Sequence, residues 1–277
     1  MRMRYLGIDA GGTLTKLVYE EHGRYHYKVF DSKELPQMMN WIRLTSPDSK
    51  LFLTGGKAEK IKMLVPESAV FPEFKSIEEG IRKLVHTQNE KLDRYILVNI
   101  GTGTSFFKVA PNEFSRVTGS GMGGGMFIGL GALLTGTDDF HELVEMSENG
   151  NREAVDLMVK DVYEGDDSPV PDYLTAANFA KLGSGAASTK DVTRSLTNLI
   201  AETVILLSHQ LAVSHRCQKL VFIGSTLIAN SPLKEDLKQF ETLLGCKCIF
   251  IENGSFSGSI GALRLGLKSL GISQNSH

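Results

Sequence analysis

Cysteine is scarce in this chain of 277 residues: the three present are Cys217, Cys246 and Cys248. An odd count argues against a disulfide scaffold, and Cys246-Lys247-Cys248 lacks the two-residue gap of a zinc knuckle or redox pair. They read as reduced thiols of a cytoplasmic protein. An excess of charge of either sign is also missing. Thirty Lys and Arg against 32 Asp and Glu leave a formal net charge of -2, so nothing global recruits a nucleic acid or anionic lipid, and any bound anion must be held locally. No uninterrupted apolar run of about 18 residues occurs, and Met1-Arg2-Met3-Arg4 passes straight into strand-like Tyr5-Leu6-Gly7-Ile8 without an apolar signal core. The expectation is a protein neither exported nor membrane-spanning. The histidines, His22, His26, His86, His141, His209, His215 and His277, show no metal-ligand spacing.

What the sequence does have is glycine, 28 residues clustered at a few turns that follow apolar runs. The first segment reads as strand, tight turn, strand: Tyr5-Leu6-Gly7-Ile8-Asp9, Ala10-Gly11-Gly12, then Thr13 to Tyr19 with period-2 alternation. His26 to Phe30 adds a strand, Leu35 to Leu44 has helical spacing, and Leu51 to Thr54 is a short buried strand ending at Gly55-Gly56. Lys57 to Leu64 reads as helix, Ala69 to Phe71 as strand, and Ser76 to Val85 as an amphipathic helix. A second cycle starts at Tyr95 to Ile100, turns at Gly101-Thr102-Gly103-Thr104-Ser105 and returns through Phe106 to Val109. The repeat of one design about ninety residues apart reads either as two related lobes or as two ordinary hairpins. Beyond Gly119 the pattern is mostly helical, with candidates at Met126–Leu134, Asp139–Ser147, Arg152–Val162, Leu174–Leu182 and, longest, Asp191–Ala212. On that last helix Leu196, Leu199, Ile200, Thr203, Val204, Leu207 and Leu211 form a stripe expected to be core. Leu220–Ile223 and Lys247–Ile251 read as strands, Ser257–Leu270 as a closing helix and Ser273–His277 as a frayed tail, with Glu164-Gly165-Asp166-Asp167 a solvated loop.

Two turns carry chemistry. In Asp9-Ala10-Gly11-Gly12-Thr13 the glycines let backbone N–H groups approach a polyphosphate, Thr13 adds a hydroxyl, and Asp9 either holds magnesium through water or caps its own turn. Asn99 to Ser105 presents three hydroxyls on flexible backbone at the end of a buried strand. Together the two can grip phosphate from both sides. A Walker loop is excluded, because no GxxxxGK[ST] run is present. Gly121-Met122-Gly123-Gly124-Gly125 opens a helix whose N-terminus is a candidate phosphate or backbone-approach site. Lys16 either neutralises phosphate charge or faces solvent. Glu73 is one acid among many, though Val70-Phe71-Pro72 gives it a rigid, partly apolar setting in which its carboxyl would titrate high.

Asp9-Ala10-Gly11-Gly12-Thr13-Leu14-Thr15-Lys16, Leu53-Thr54-Gly55-Gly56, Phe71-Pro72-Glu73-Phe74, the Asn99–Ser105 turn, Gly123-Gly124-Gly125-Met126 and Glu252-Asn253-Gly254-Ser255-Phe256-Ser257-Gly258 occur in one order along nearly the whole chain. That set resembles the bacterial type II pantothenate kinases, of the acetate and sugar kinase/Hsp70/actin superfamily. The resemblance implies an α/β fold of two ribonuclease-H-like, actin-like ATPase lobes with a nucleotide cleft between them. Residues 1–94 would form the lobe with the first phosphate turn and the catalytic Glu, and 95–277 the lobe with the second turn, the adenosine site and the dimer helices. It implies ATP-dependent phosphorylation of pantothenate, ATP and Mg2+ as cofactors, and a homodimer through the 191–212 helix. Glu73 matches the catalytic base, and Arg116 the arginine that holds the pantothenate carboxylate. Thr102 and Ser105 match contacts to nucleotide phosphate and substrate, and the stretch Asp9 to Lys16 the first phosphate turn. Gly124, Gly125, Met126, Phe127 and Ile128 match a segment lining the nucleotide site. Phe140 falls where some members carry a tyrosine near the nucleotide, so stacking alone is expected of it. Ser225 matches the adenosine-side turn, with Thr226 beside it offering a second hydroxyl.

Two rival readings share the superfamily: a sugar or amino-sugar kinase, and a nucleotide-driven switch like actin or the Hsp70 ATPase lobe. The second lacks room for a peptide-binding domain. An iron-sulfur activator ATPase would need a cysteine pair to bridge a cluster, which Cys217, Cys246 and Cys248 do not offer.

Overall fold

A computed structural model describes residues 5–88, 92–163, 168–185 and 187–272. The expected acidic loop at 164–167 and the frayed tail at 273–277 lie outside the described residues.

The chain builds two five-stranded sheets by the same plan. The first uses β1 (Tyr5–Ala10), β2 (Leu14–Glu21), β3 (Arg24–Asp31), then α1 (Leu35–Thr45), β4 (Lys50–Thr54), α2 (Ala58–Leu64), β5 (Ala69–Val70) and α3 (Glu73–Thr87). The second begins with β6 (Tyr95–Ile100), β7 (Thr104–Ala110) and β8 (Glu113–Ser120), followed by α4 (Gly124–Thr135) and α5 (Phe140–Glu148). A short two-stranded excursion follows: β9 (Leu157–Met158), α6 (Val159–Tyr163) and β10 (Thr175–Ala177). Then come α7 (Thr189–Ser214), β11 (Lys219–Ile223), α8 (Ser231–Gln239), α9 (Glu241–Leu244), β12 (Lys247–Phe250) and α10 (Ser257–Ser269). Strand orders are β3-β2-β1-β4-β5 and β8-β7-β6-β11-β12, so both sheets are an antiparallel meander extended by two parallel strands. The repeat seen in the sequence is therefore a repeat of topology, and the reading of two unrelated hairpins falls away.

Three apolar clusters make the layers. Leu6, Ile8, Ala10 and Leu17 on one face of the first sheet meet α1 and α2. The second sheet's outer face, with Ile96, Val98 and Phe222, meets α4, α5, α7 and α8. Between the sheets, α3 and α10 fill the space, touching Val18 and Phe52 on one side and Leu97, Phe107 and Val221 on the other. The closing helix α10 therefore packs on β1, β2 and β4 at the other end of the sequence.

The expected helices at 152–162 and 174–182 do not form as such. Arg152 donates to the Thr175 hydroxyl at 2.8 Å and to the Tyr173 carbonyl, while the Phe179 amide donates to the Asp156 carboxylate at 2.9 Å. These side-chain bonds hold the second segment extended as β10 against β9, and the first breaks into a 3-10 turn at Arg152–Ala154, β9 and α6. Helical spacing loses here to buried polar partners. α7 runs 26 residues behind a capping box of Ser188 and Asp191. By length and composition alone it could cross a membrane, yet half of its apolar window is buried. Leu196, Ile200 and Val204 of the expected stripe are core, whereas Leu207 is exposed, because the buried face turns instead through Ala201, Ile205 and Ser208.

α3 and α10 touch backbone to backbone. A Cβ at Gly80 would overlap the Ser257 carbonyl oxygen, and one at Gly261 the Ser76 carbonyl oxygen. Gly→Ala in an exposed helix gains about 1 kcal/mol; at Gly80 or Gly261 the sign reverses, and we expect a loss of about 1–3 kcal/mol from overpacking, read as a lower urea midpoint with unchanged m-value.

Candidate functional site

The two glycine turns sit at corresponding ends of β1 and β6 and face each other across a cleft of about 550 Å³. Their hydroxyls meet: Thr13 Oγ1 and Thr102 Oγ1 share a hydrogen bond at 3.0 Å across 89 residues of sequence. The second turn is locked from behind. The Gly101 carbonyl accepts from the Gly124 amide at 2.9 Å and from the Thr226 hydroxyl at 2.8 Å, and the Thr102 carbonyl accepts from the Gly125 amide at 2.8 Å.

Asp9, the penultimate residue of β1, pairs in register with Lys16 on β2, the ammonium lying 3.7 Å from its carboxylate. Lys16 is therefore not a solvent-facing lysine; its side chain is 11% exposed. The pocket for the Asp9 carboxylate exists because two neighbours lack side chains. A Cβ at Gly55, where φ is +91°, would sit 2.5 Å from Oδ1, and one at Gly258 would sit 2.7 Å from Oδ2. Among the described residues no group of three His, Cys, Asp or Glu gathers to hold a metal.

Glu73 is the first residue of α3, aimed by its own strand. The Phe71 amide donates to the Leu53 carbonyl at 2.8 Å, the Thr54 hydroxyl donates to the Phe71 carbonyl at 3.0 Å, and Pro72 fixes the turn into the helix. Glu73 is exposed overall and lines the cleft. Loss of water there raises its pKa above the ordinary carboxylate value, the negative charge of Asp9 raises it further, and Lys16 opposes both. Arg116, on β8, enters the same cleft with its guanidinium 5.9 Å from the Phe74 ring centroid and against Gly119, where a side chain would displace it.

The cleft thus gathers Asp9, Gly11, Gly12, Thr13, Leu14, Lys16, Glu73, Thr102, Ser105, Arg116 and Ser225. Other expected residues fall outside its lining. Ala10 and Thr15 point to the opposite face of the first sheet, as period 2 requires once Asp9 and Lys16 face the cleft; Thr15 bonds Ser32 there at 3.0 Å. The amides of Gly124 and Gly125 are spent on the second turn, so they are not free for phosphate. Phe127 is core at 1% exposure, and Phe140 packs edge-on against it at 5.8 Å, so neither ring is presented for stacking in the cleft. Met126 and Ile128 are half-buried on α4, outside the lining. Of the two adjacent hydroxyls, Ser225 lines the cleft and Thr226 is structural. Residues the sequence reading left without a role, Asn99, Ser120, Ser255 and Ser257, also line it; their signal was membership of the same glycine-rich motifs. An adjoining hollow of about 430 Å³, sharing Ser255, lies beside Gly224, Ile228 and Asn253.

The family model named Fumble matches residues 66–264. A type II pantothenate kinase of Oceanobacillus iheyensis is 41% identical over 264 residues, covering 94% of this chain and 99% of the relative. One from Staphylococcus aureus is 36% identical over 265 residues with the same coverage. Among solved structures, component A of (R)-2-hydroxyglutaryl-CoA dehydratase from Acidaminococcus fermentans superposes with TM-score 0.66 at 14% identity, covering 98% of this chain and 100% of that one. A ROK family glucokinase of Streptomyces griseus, in complex with glucose and AMPPNP, gives 0.55 at 11% identity, covering 94% and 98%. The latter two show a shared fold.

The charge trio makes a direct prediction. In a carboxyl-resolved NMR titration, Glu73 should titrate above a free glutamate, move higher still in Lys16→Met, and move lower in Asp9→Asn. An ordinary value unaffected by either variant would contradict the geometry described.

Proposed function

This chain belongs to the Fumble family and, within it, to the type II pantothenate kinases, and we propose that the cleft joining its two glycine turns is where ATP and pantothenate meet. The reaction is the ATP-dependent phosphorylation of pantothenate to 4'-phosphopantothenate, the first step of coenzyme A biosynthesis. The observation that carries the siting is the Thr13–Thr102 contact, which brings both phosphate turns to one place with Glu73 and Arg116 in the same walls.

In this reading the polyphosphate lies along Gly11-Gly12-Thr13 and Thr102, with Ser225 on the adenosine side and the adjoining hollow receiving the base. Arg116 holds the pantothenate carboxylate, a bidentate match for guanidinium, with Ser105 beside it. The primary hydroxyl of pantothenate attacks the γ-phosphorus, its proton passes to the Glu73 carboxylate, and the bond to the β-phosphate oxygen breaks to release ADP. A carboxyl raised by its walls is a better proton acceptor than one in water, which supports Glu73 in this role. The donor set suits magnesium: one carboxylate, Asp9, in a cleft open to water and phosphate oxygens is how such ions are ordinarily held. Bound there, it would neutralise phosphate charge; holding it is the part assigned to Asp9.

The same reading divides the chain at 94/95 into its two lobes, α10 apart, and places the protein in the cytoplasm as a homodimer. Leu206, Leu207 and Val213, all exposed on one side of α7, support that helix as the dimer surface.

Three experiments test this. With ATP and a panel of pantothenate, glucose and N-acetylglucosamine, phosphoryl transfer is expected to pantothenate; turnover of a sugar without pantothenate turnover would reject the reading. Glu73→Gln should keep ATP binding and lose roughly a hundredfold in kcat. In the parent, kcat/KM should fall as pH drops through the raised Glu73 value, since the base must be unprotonated to act.

A further inference from the structure

The first phosphate turn carries a cation that none of these roles uses. Lys57 follows Gly55-Gly56 at the start of α2, and its backbone N–H donates to the Ala10 carbonyl at 2.9 Å while its ammonium donates to the carbonyl of Gly12. One residue is thus fastened to both ends of the Ala10–Gly12 segment. Its side chain is half-buried, and among the described residues it has no carboxylate partner. An ammonium has three donors; with one on Gly12, two remain unspent.

The charge in the cleft gives those donors a use. Its ionisable lining is two acids, Asp9 and Glu73, and two bases, Lys16 and Arg116. Lys16 is committed to Asp9, and Arg116 stands on β8 beside Phe74. The lining is therefore neutral, while a nucleoside triphosphate brings several negative charges to the turn of Gly11, Gly12 and Thr13. Gly12, whose carbonyl accepts from the Lys57 ammonium, and Gly56, which precedes Lys57 in the chain, both line the cleft, while Lys57 is not itself among the lining residues.

We propose that Lys57 is a phosphate-binding residue, held on the Gly12 carbonyl so that its free donors meet the polyphosphate seated on the first turn. This rests on the reading of the cleft as an ATP site. Its loss removes a charge-assisted hydrogen bond, a class of contact that changes affinity by about tenfold or more.

The test is calorimetric titration of the full chain with ATP and with adenosine. The parent must bind ATP; if it does not, the ATP reading itself fails. In Lys57→Met the Kd for ATP should rise about tenfold with that for adenosine unchanged, and Lys57→Arg should restore affinity to within about threefold of the parent. Lys57→Gln keeps a donor for the Gly12 carbonyl and drops the charge, so it should behave like Lys57→Met. Parent-like ATP affinity in Lys57→Gln would overturn the proposal, as would equal weakening of ATP and adenosine, since either outcome leaves Lys57 as a brace for the turn.

Discussion

The structure depends on how closely α3 and α10 approach. These helices fill the space between the sheets, and their backbones touch because Gly80 and Gly261 present no side chain at the crossing. Similar close approaches bring α10 onto the first sheet, where a Cβ at Gly7 would strike the Ser259 carbonyl and one at Gly266 the Phe52 ring. The depth of the cleft is then fixed by backbone contact. α3 starts at Glu73 and α10 at Ser257, so seating this pair also seats the acid and the serine-glycine wall that face the first turn.

The same economy of side chains shapes the charge at Asp9. Gly55 and Gly258 come from segments about two hundred residues apart, and both must be bare for the carboxylate to fit. What results is a trio of ionisable groups, Glu73, Asp9 and Lys16, in which loss of water first and the Asp9 charge second leave Glu73 titrating high against the opposing pull of Lys16. A base at Glu73 has to be ionised to act, yet gains strength from being costly to ionise. Lys16 limits that cost, and a bound cation at Asp9 would limit it further. The arrangement therefore couples the basicity of Glu73 to what occupies the first turn.

Most of this was legible in the sequence because it rests on glycine and on period-2 strands. Each of the motifs Asp9 to Thr13, Leu53 to Gly56, Asn99 to Ser105 and Glu252 to Gly258 contributes residues to one cleft, and Gly11, Gly55, Gly103 and Gly258 stand where a Cβ would collide with a neighbour. What stayed hidden was governed by partners rather than by local pattern. β8 is largely polar and carries Gly119 one residue before its end, so Glu113 to Ser120 lacks the apolar alternation of its neighbours. α8 begins at Ser231-Pro232 with low apolar content, and its cap is the Asn230 side chain accepting from Leu233. Phe127 falls in a segment matched to the nucleotide site and Phe140 at a position expected to stack, yet Phe127 belongs to the second sheet's outer core and Phe140 packs against it. Ser225 and Thr226 are indistinguishable as letters, and the Gly101 carbonyl separates them.

The fold alone leaves the acceptor open, since a glucokinase shares it. In the proposed reading the two turns and Asp9 deal only with phosphate, so selectivity would come from what stands across from the γ position. There Arg116 reaches in from β8, with Gly119 making room for its guanidinium and Phe74 beneath it. Glu73 and Phe74 are consecutive, so the helix turn that aims the acid also sets the ring against the arginine. A sugar offers hydroxyls but no anion to such a site, so it leaves the Arg116 guanidinium without the bidentate partner that a carboxylate supplies. A carboxylate-bearing alcohol of the right length satisfies both ends at once, so in the proposed reading the spacing between Arg116 and Glu73 acts as the ruler that selects the acceptor.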